Sequence, residues 1–503
     1  MPQRRLLEKF PLAGHIITLA SGALIAFSLA PFNWWPLGIL SVFLFVACID
    51  GQTTKRTMLR FYLYNLGMFG VGVSWFFVSI NVYGGASPLL AGSLVVGFVM
   101  AWSLTGLLHG YLYGRFVAQL PLGLLLGFPA LWVLIEWFRS WFLTGFPWLF
   151  LGYGHLSSPL VGFAPVAGVF SLSFFAVVSV TLLYRFLALR KFSYLFIVVA
   201  IWLSGFGLWQ VEFVAVKDQI SVVAVQGNID QHIKWRRDTA MPILNTYTEL
   251  TEPEWGADII VWPEAAITLF RENAGWFLEE LDRKGKQSGS TIVLGIPDRD
   301  DEGNFLNTAI AVGDGQGTYY KRRLVPFGEY VPFENWLRGI IAFFDLPMSH
   351  NSAGKMEQPA LTAGNFMLSL SICYEIVFPE LVRSATPSPD LLVTISNDTW
   401  FGASIGPAQH LQMARMRAVE NGRYLLRATN NGFTVLVNHK GEIVDSLPQF
   451  ESGVLRAQAN IMTGDTPYHQ YGQLPVLFLC LFALGGLVLA RTPLLTKIED
   501  SKN

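Results

Sequence analysis

The chain has 503 residues, 52% hydrophobic and only 14% charged, with a mean hydropathy of +0.42. Soluble domains carry about 25% charged residues, so this composition excludes an ordinary soluble protein and points to a membrane one. The net charge of -1 gives no reason to expect a nucleic-acid partner, and three cysteines exclude a disulfide framework.

The apolar residues are not spread evenly. Charge is nearly absent to about Trp209, ordinary from about Val211 to Tyr471, and absent again in "LPVLFLCLFALGGLVLA" (474–490). Three parts are expected: a membrane domain over 1–212, a soluble domain over 213–472, and a final span with its tail over 473–503. The start, "MPQRRLLEKF", is basic and precedes an apolar run, as in a signal peptide. No small-residue cleavage site leads into a soluble domain, and another apolar run follows, so an uncleaved first span is expected.

A helix crosses the hydrocarbon core with about 20 apolar residues. Seven candidates precede the soluble part, at roughly 11–31, 35–50, 58–80, 88–113, 121–138, 160–185 and 193–210, and one follows at 473–490. Basic residues gather in alternate loops: Arg4, Arg5 and Lys9; Lys55, Arg56 and Arg60; Arg115; Arg185, Arg190 and Lys191; Arg491, Lys497 and Lys502. The positive-inside rule then puts both termini in the cytoplasm and the soluble domain outside. Arg139 breaks the pattern but sits near Glu136, an internal partner. The aromatics of "TGFPWLFLGYGHLSSP" (144–159) fit an interfacial belt, or else a route between membrane and soluble domain.

In the soluble part, strand-like runs recur: "ISVVAVQ" (220–226), "DIIVWPE" (258–264), "STIVLGIP" (290–297), "NTAIAVG" (307–313), "FMLSLSICYE" (366–375), "LLVTISND" (391–398), "YLLRATNNG" (424–432) and "TVLVNHKGEIV" (434–444). "GWFLEELDRKGKQSG" and "AQHLQMARMRAVENG" have helical spacing and glycine stops at Gly289 and Gly422. Strands apolar on both faces, alternating with helices, imply a buried sheet covered by helices, with active groups at the strand ends.

Three strand ends carry reactive groups: Glu264 after "IIVWPE", Cys373 in "ICYE", and Asn397 with Asp398 in "TISNDTWFG". "YYKRRLVPFGEYVP" adds Lys321 and Glu329. Singly, each has an ordinary explanation as a solvated cap, a small buried hydrophobe or a surface lysine. Together they supply what thiol-based acyl chemistry needs: a base for the thiol, a cation for the thiolate, and a fixed positive charge for the tetrahedral intermediate. His232, His350, His410, His439 and His469 lie in no nucleophile-elbow context, and no metal-ligand spacing occurs, so neither metal nor cofactor is expected.

"VWPE", "YYKRRLVPFGEYVP" and "SICYE" resemble the three signature blocks of the nitrilase (carbon–nitrogen hydrolase) superfamily, with its Glu–Lys–Cys triad. "QGNIDQHIKW" and "SNDTWFGASIGPAQHLQMARMRAVENGRYLLRATNNG" resemble the flanking blocks. Eight spans around such a domain, with "GFPWLFLGY" among them, resemble the bacterial apolipoprotein N-acyltransferases over essentially the whole chain. The resemblance implies a polytopic α-helical inner-membrane protein, monomeric, with an inserted α/β nitrilase-like αββα sandwich on the periplasmic side. It implies transfer of a fatty acyl chain from a phospholipid donor, by ping-pong through a thioester, to the α-amine of a diacylated apolipoprotein. Glu264 would be the general base, Lys321 the stabiliser of the tetrahedral intermediate and Cys373 the nucleophile. Glu329, Tyr374 and Glu375 match supporting residues, and Trp235 matches a tryptophan near the substrate.

"FENWLRGIIAFFDLPM" (333–348) would be a buried helix in a soluble enzyme. Beside a membrane it reads as an amphipathic arm in the interface, with Phe343 and Phe344 bringing lipid tails to Cys373. Three rival readings remain. A membrane-tethered amidase or nitrilase-type hydrolase would share the chemistry up to the thioester. A transporter is disfavoured because the spans hold few ionisable residues beyond Glu136, Arg139 and His109. A non-catalytic scaffold is disfavoured by the intact triad.

Overall fold

The computed structural model describes residues 11–332 and 351–500. Phe343 and Phe344, and the arm that carries them, lie outside the described residues. The chain divides into two compact units: one of Met1–Trp75, Leu89–Glu212 and Gln470–Asn503, the other of Phe76–Pro88 and Phe213–His469.

The first unit is helical, with main helices at Pro11–Ser28, Trp35–Ile49, Thr54–Gly72, Pro88–Leu112, Phe128–Arg139, Ala164–Leu189, Phe192–Trp209 and Leu474–Asp500. Their backbones touch where glycine allows it. A Cβ on Gly22 would fall 1.9 Å from the Tyr64 carbonyl oxygen, and one on Gly67 would fall 1.9 Å from that of Leu19. Helices that pack in lipid gain from this close approach. The outward residues are apolar, among them Phe192, Phe196, Leu203, Phe482 and Leu489.

Some helices stop short of the apolar runs, as Pro11–Ser28 does, while Pro88–Val117 and Pro159–Leu189 run past the spans expected for them. Among the described residues, Pro88–Val117, Pro159–Leu189 and Phe192–Trp209 are long and apolar enough to cross a membrane; Thr54–Gly72 with Phe76–Tyr83 would make a fourth, broken span. Leu12–Ser28, Trp35–Ile49 and Leu474–Ala490 are apolar but shorter, so the structure does not establish eight spans. The expected span 58–80 is interrupted, because its helix ends at Gly72 and Phe76–Pro88 belongs to the second unit. There Ser79 Oγ donates to the Trp400 carbonyl at 2.7 Å, and Tyr83 stacks on His232.

Two readings of charge and aromaticity also change. Arg60 is no loop residue; it is fully buried in its helix and donates to the Cys48 carbonyl. The aromatics of 144–159 form no exposed belt: Trp148, Phe150 and Tyr153 are buried inside the helical unit. Glu136 accepts from Trp132 Nε1 and the Leu151 amide, while the Arg139 guanidinium lies over Phe69 and Phe150, 5.3 Å from each ring centre.

The second unit is built on thirteen strands: β1 (Ala215–Gln226), β2 (Ile259–Val261), β3 (Thr291–Arg299), β4 (Phe305–Gly313), β5 (Gly315–Tyr320), β6 (Asn351–Ser352), β7 (Leu361–Ala363), β8 (Phe366–Ile372), β9 (Leu391–Ser396), β10 (Leu425–Thr429), β11 (Val435–Val437), β12 (Ile443–Ser446) and β13 (Gly453–Thr463). Their order is β12-β11-β10-β9-β8-β7-β5-β4-β3-β2-β1-β13, with β6 beside β4. Each half has a parallel centre, β1-β2-β3 in one and β8-β9-β10 in the other, flanked by antiparallel strands. The inner faces meet in one core: Val222, Ala224, Val261 and Val293 from the first half, Leu370, Ile372, Val393 and Leu426 from the second. On the outer face of the first half, Ile243, Leu244 and Tyr247 of the helix Ala240–Thr251, and Phe277 and Leu281 of Gly275–Ser288, cover Val223, Ile260 and Leu294. The helix Gly406–Asn421 packs against β10 and the turn after β8. The result is an αββα sandwich.

The two expected helices end as expected, with Gly289 and Gly422 in the left-handed region at φ +71° and +64°. "TVLVNHKGEIV" is not one strand but the hairpin β11–β12, folded at Asn438, whose Oδ1 accepts from the Lys440 and Glu442 amides.

Candidate active site

The ends of β2, β5, β8 and β9 meet. Glu264 follows β2 in the stretch Trp262–Pro263–Glu264, anchored by Trp262. That ring is fully buried, stacks on Tyr247 at 5.1 Å between centres, and donates to Thr251 Oγ1 at 2.9 Å. β3 passes so near that a Cβ on Gly295 would fall 2.4 Å from the Ala265 nitrogen; only glycine permits this approach. The Glu264 carboxylate accepts from Asn307 Nδ2 (2.7 Å), Lys321 Nζ (3.3 Å) and the Asn397 amide (2.9 Å).

Lys321 follows β5 and is 1% exposed. Its Nζ lies 2.8 Å from Glu329 Oε1 as well as 3.3 Å from Glu264 Oε1, so two carboxylates share one ammonium. Burial works against that charge, but Glu264 and Glu329 outweigh it and hold the ammonium well above the usual lysine range. Asn307, on β4, donates to Glu329 Oε1 at 3.1 Å besides Glu264, and the Val325 amide donates to Glu329 Oε2 at 2.7 Å. Burial also pushes the Glu264 carboxyl up; Lys321, Asn307 and Lys234 outweigh it, so Glu264 stays below its ordinary value.

Cys373 stands where β8 runs into the tight turn Cys373–Val377, with φ at +53°. A non-glycine residue there carries strain of about 1–3 kcal/mol, a cost found where geometry serves a function. Cys48 and Cys480 are buried, whereas Cys373 is half-buried. Burial and the Glu264 charge push the Cys373 thiol up; Lys321 and Ser396 pull it down without reversing the shift. At rest Cys373 is therefore a thiol, and to act as a nucleophile it would need a base at the moment of attack.

Glu375 ties the Cys373 turn to the Lys321 strand end. Its Oε1 accepts from the Arg322 (2.6 Å) and Arg323 (3.1 Å) amides, and its Oε2 from the Ile372 amide (2.8 Å) and Tyr319 OH (2.9 Å). Tyr374 lies edge-on against Phe378, 5.1 Å between ring centres. Trp235, 43% exposed, sits outside the hydrogen-bonded cluster, just past the short helix Gln231–Lys234.

Several members of the site were not singled out in the sequence. Asn307 and the buried Lys234 are two of them. His410 is another: its Nε2 lies 3.1 Å from the Cys373 carbonyl, and its Nδ1 is near Arg427 Nη2 (3.1 Å) and Asp398 Oδ1 (3.2 Å). A carbonyl can only accept, so Nε2 carries the hydrogen. Burial and Arg427 keep the ring neutral, which leaves Nδ1 to accept from Arg427. Asp398 is pushed up by burial but held well below the usual carboxylate range by Arg427, whose Nη2 lies 2.6 Å from its Oδ2. Among the described residues no cluster of three or more His, Cys, Asp or Glu side chains is arranged to hold a metal ion.

Comparison with known proteins matches two family models. Residues 221–467 match the carbon-nitrogen hydrolases, and residues 21–182 match the apolipoprotein N-acyltransferase N-terminal domain. An apolipoprotein N-acyltransferase of Pseudomonas aeruginosa is 42% identical over 475 residues, 92% of this chain and 93% of that one. One of Pseudomonas syringae is 41% identical over 489 residues, 95% and 97% of the two chains. One of Vibrio parahaemolyticus is 40% identical over 484 residues, 93% and 95%. Among solved structures, a CN-hydrolase superfamily protein of Xanthomonas campestris aligns with a TM-score of 0.38 and 15% identity, over 52% of this chain and 97% of that one.

Proposed function

Because the chain belongs to the apolipoprotein N-acyltransferases of the carbon–nitrogen hydrolase superfamily, we propose that it moves a fatty acyl chain from a phospholipid to the N-terminal amine of a diacylated apolipoprotein. One observation carries the assignment of roles: Glu264, Lys321 and Glu329 form a single buried ion cluster, and the Glu264 and Lys321 charges act on the Cys373 thiol.

In the first half-reaction the Cys373 sulfur attacks the ester carbonyl and Glu264 takes the thiol proton. Lys321 faces the oxyanion. Glu264 then returns the proton to the departing alkoxide, leaving a lysophospholipid and a thioester on Cys373. In the second, the lipoprotein amine attacks the thioester, Glu264 takes a proton from nitrogen, and the thiol leaves as the amide forms. Glu329 keeps Lys321 in place, while Glu375 and Tyr374 shape the turn that holds Cys373.

The finer setting follows the family and the charge pattern. The charge pattern supports eight spans, with the sandwich on the periplasmic side of the inner membrane and both termini in the cytoplasm, and we take the protein to act as a monomer. Trp235 meets substrate, and Phe343 and Phe344 guide lipid tails.

A hydrolase would share every step up to the thioester, so the fate of that intermediate decides. With phospholipid and a peptide bearing an N-terminal diacylglyceryl-cysteine, amide should accumulate, and without the peptide free fatty acid should stay near the level of a Cys373→Ala control. Rapid release of fatty acid with no amine present would replace this reading with hydrolysis.

A further inference from the structure

Lys234 is fully buried, a state lysine reaches almost only when its charge is held. It closes the short helix Gln231–Lys234, whose Asp230 side chain caps the His232 amide. Its Nζ donates to the main-chain carbonyl of Glu264 at 3.3 Å. An ammonium has three donors, and among the described residues this is the one side-chain hydrogen bond Lys234 makes.

We propose that Lys234 is a second cation of the catalytic centre, a positioning residue that acts through Glu264 by holding its carbonyl and keeping its carboxylate ionised. This rests on the reading of Glu264 as the base.

The charges around the site support it. Glu264 faces Lys321 from the end of β5 and Lys234 from the 231–234 turn, with neutral donors from Asn307 on β4 and the Asn397 amide after β9. Lys321 faces Glu329 and Cys373 in turn. Asp398, which also acts on Cys373, is matched by Arg427 within its own buried network. Without Lys234, one ammonium serves two carboxylates; with it, two ammoniums serve two. The second cation is also a soft one. Burial pulls Lys234 down to about 8, against the upward pull of Glu264, so its charge is full in neutral and acid solution and fades in mild alkali. The hydrogen bond also supports a constrained stretch of chain, since Ala265 has φ at +48°.

The test is single-turnover thioester formation on the full-length protein with phospholipid vesicles, read by intact mass across the acid range. A base must be deprotonated to act, so the acid limb of the rate reports Glu264. Removing a nearby positive charge raises its pKa and moves that limb to higher pH. Lys234→Met should move it by about one to three pH units, the upper figure being that of a unit charge about 4 Å away at an effective dielectric near 20. Lys234→Gln keeps a donor for the Glu264 carbonyl and should fold where methionine does not; it should show the same shift. Lys234→Arg should leave the limb in place even if the rate falls. An unmoved limb in a folded neutral variant overturns the proposal. Wild-type protein that forms no thioester at any pH would overturn the underlying reading instead.

Discussion

Lys321→Met should abolish acyl transfer, lowering thioester formation by at least about 10³-fold, and should destabilise the catalytic unit as well. The activity loss follows from position. In the proposed mechanism Lys321 supplies the fixed charge for the oxyanion, and removing one such group costs about 10²–10³ in rate even where others remain. The stability loss follows from burial. With the ammonium gone, Glu264 and Glu329 are left as buried carboxylates sharing only Asn307, and breaking one partner out of a buried ion cluster costs about 3–5 kcal/mol. The two effects separate in the double variant Lys321→Met with Glu329→Gln. It should recover part of the melting temperature, because one carboxylate is neutralised, and none of the rate. Recovery of rate in that variant would mean that Lys321 serves only to neutralise Glu329.

Glu375→Ala is the second large effect. This carboxylate is fully buried and accepts four hydrogen bonds, three from backbone amides and one from Tyr319. The alanine variant strands four donors, each worth about 1–3 kcal/mol when buried unpaired, so a loss of at least about 3 kcal/mol is expected. The rate should fall too, by about 10²-fold, because the amides it grips flank Lys321 on one side and Cys373 on the other, and small misplacements of reacting groups cost that much. Glu375→Gln should fall between, since its NH₂ group faces donors rather than acceptors. Thermal melting and single-turnover acylation together check this. A folded Glu375→Ala protein with wild-type acylation would show that the two strand ends hold themselves in register.

The proposed triad was legible because its members are announced locally. A short buried strand runs straight into a polar residue at Glu264 and at Cys373, while Lys321 stands in the block "YYKRRLVPFGEYVP" right after the tyrosines of β5. The groups that escaped notice owe their roles to distant contacts. Asn307 reaches Glu264 across 43 residues, Lys234 across 30, and His410 meets Cys373 across 37. Nothing near them in the sequence marks them. Lys234 was hidden further by the aromatic residue beside it, since Trp235 drew attention while the lysine turned inward. Among the strands, β13 alternates polar and apolar residues on a partly exposed edge, and β5 begins "GQG", so neither presents the apolar run that revealed β2 or β9. In the helical unit the apolar runs located the helices but not all of their ends. Pro11–Ser28 stops before the turn around Asn33, although apolar composition continues through "APFNWWP".

The central claim is that the acyl group passes through Cys373. Intact-protein mass measured after incubation with phospholipid alone tests it most directly. The protein should gain one fatty acyl group, removed by hydroxylamine and absent from Cys373→Ala. A wild-type protein that turns over phospholipid and acceptor together, yet never gains that mass, would contradict it.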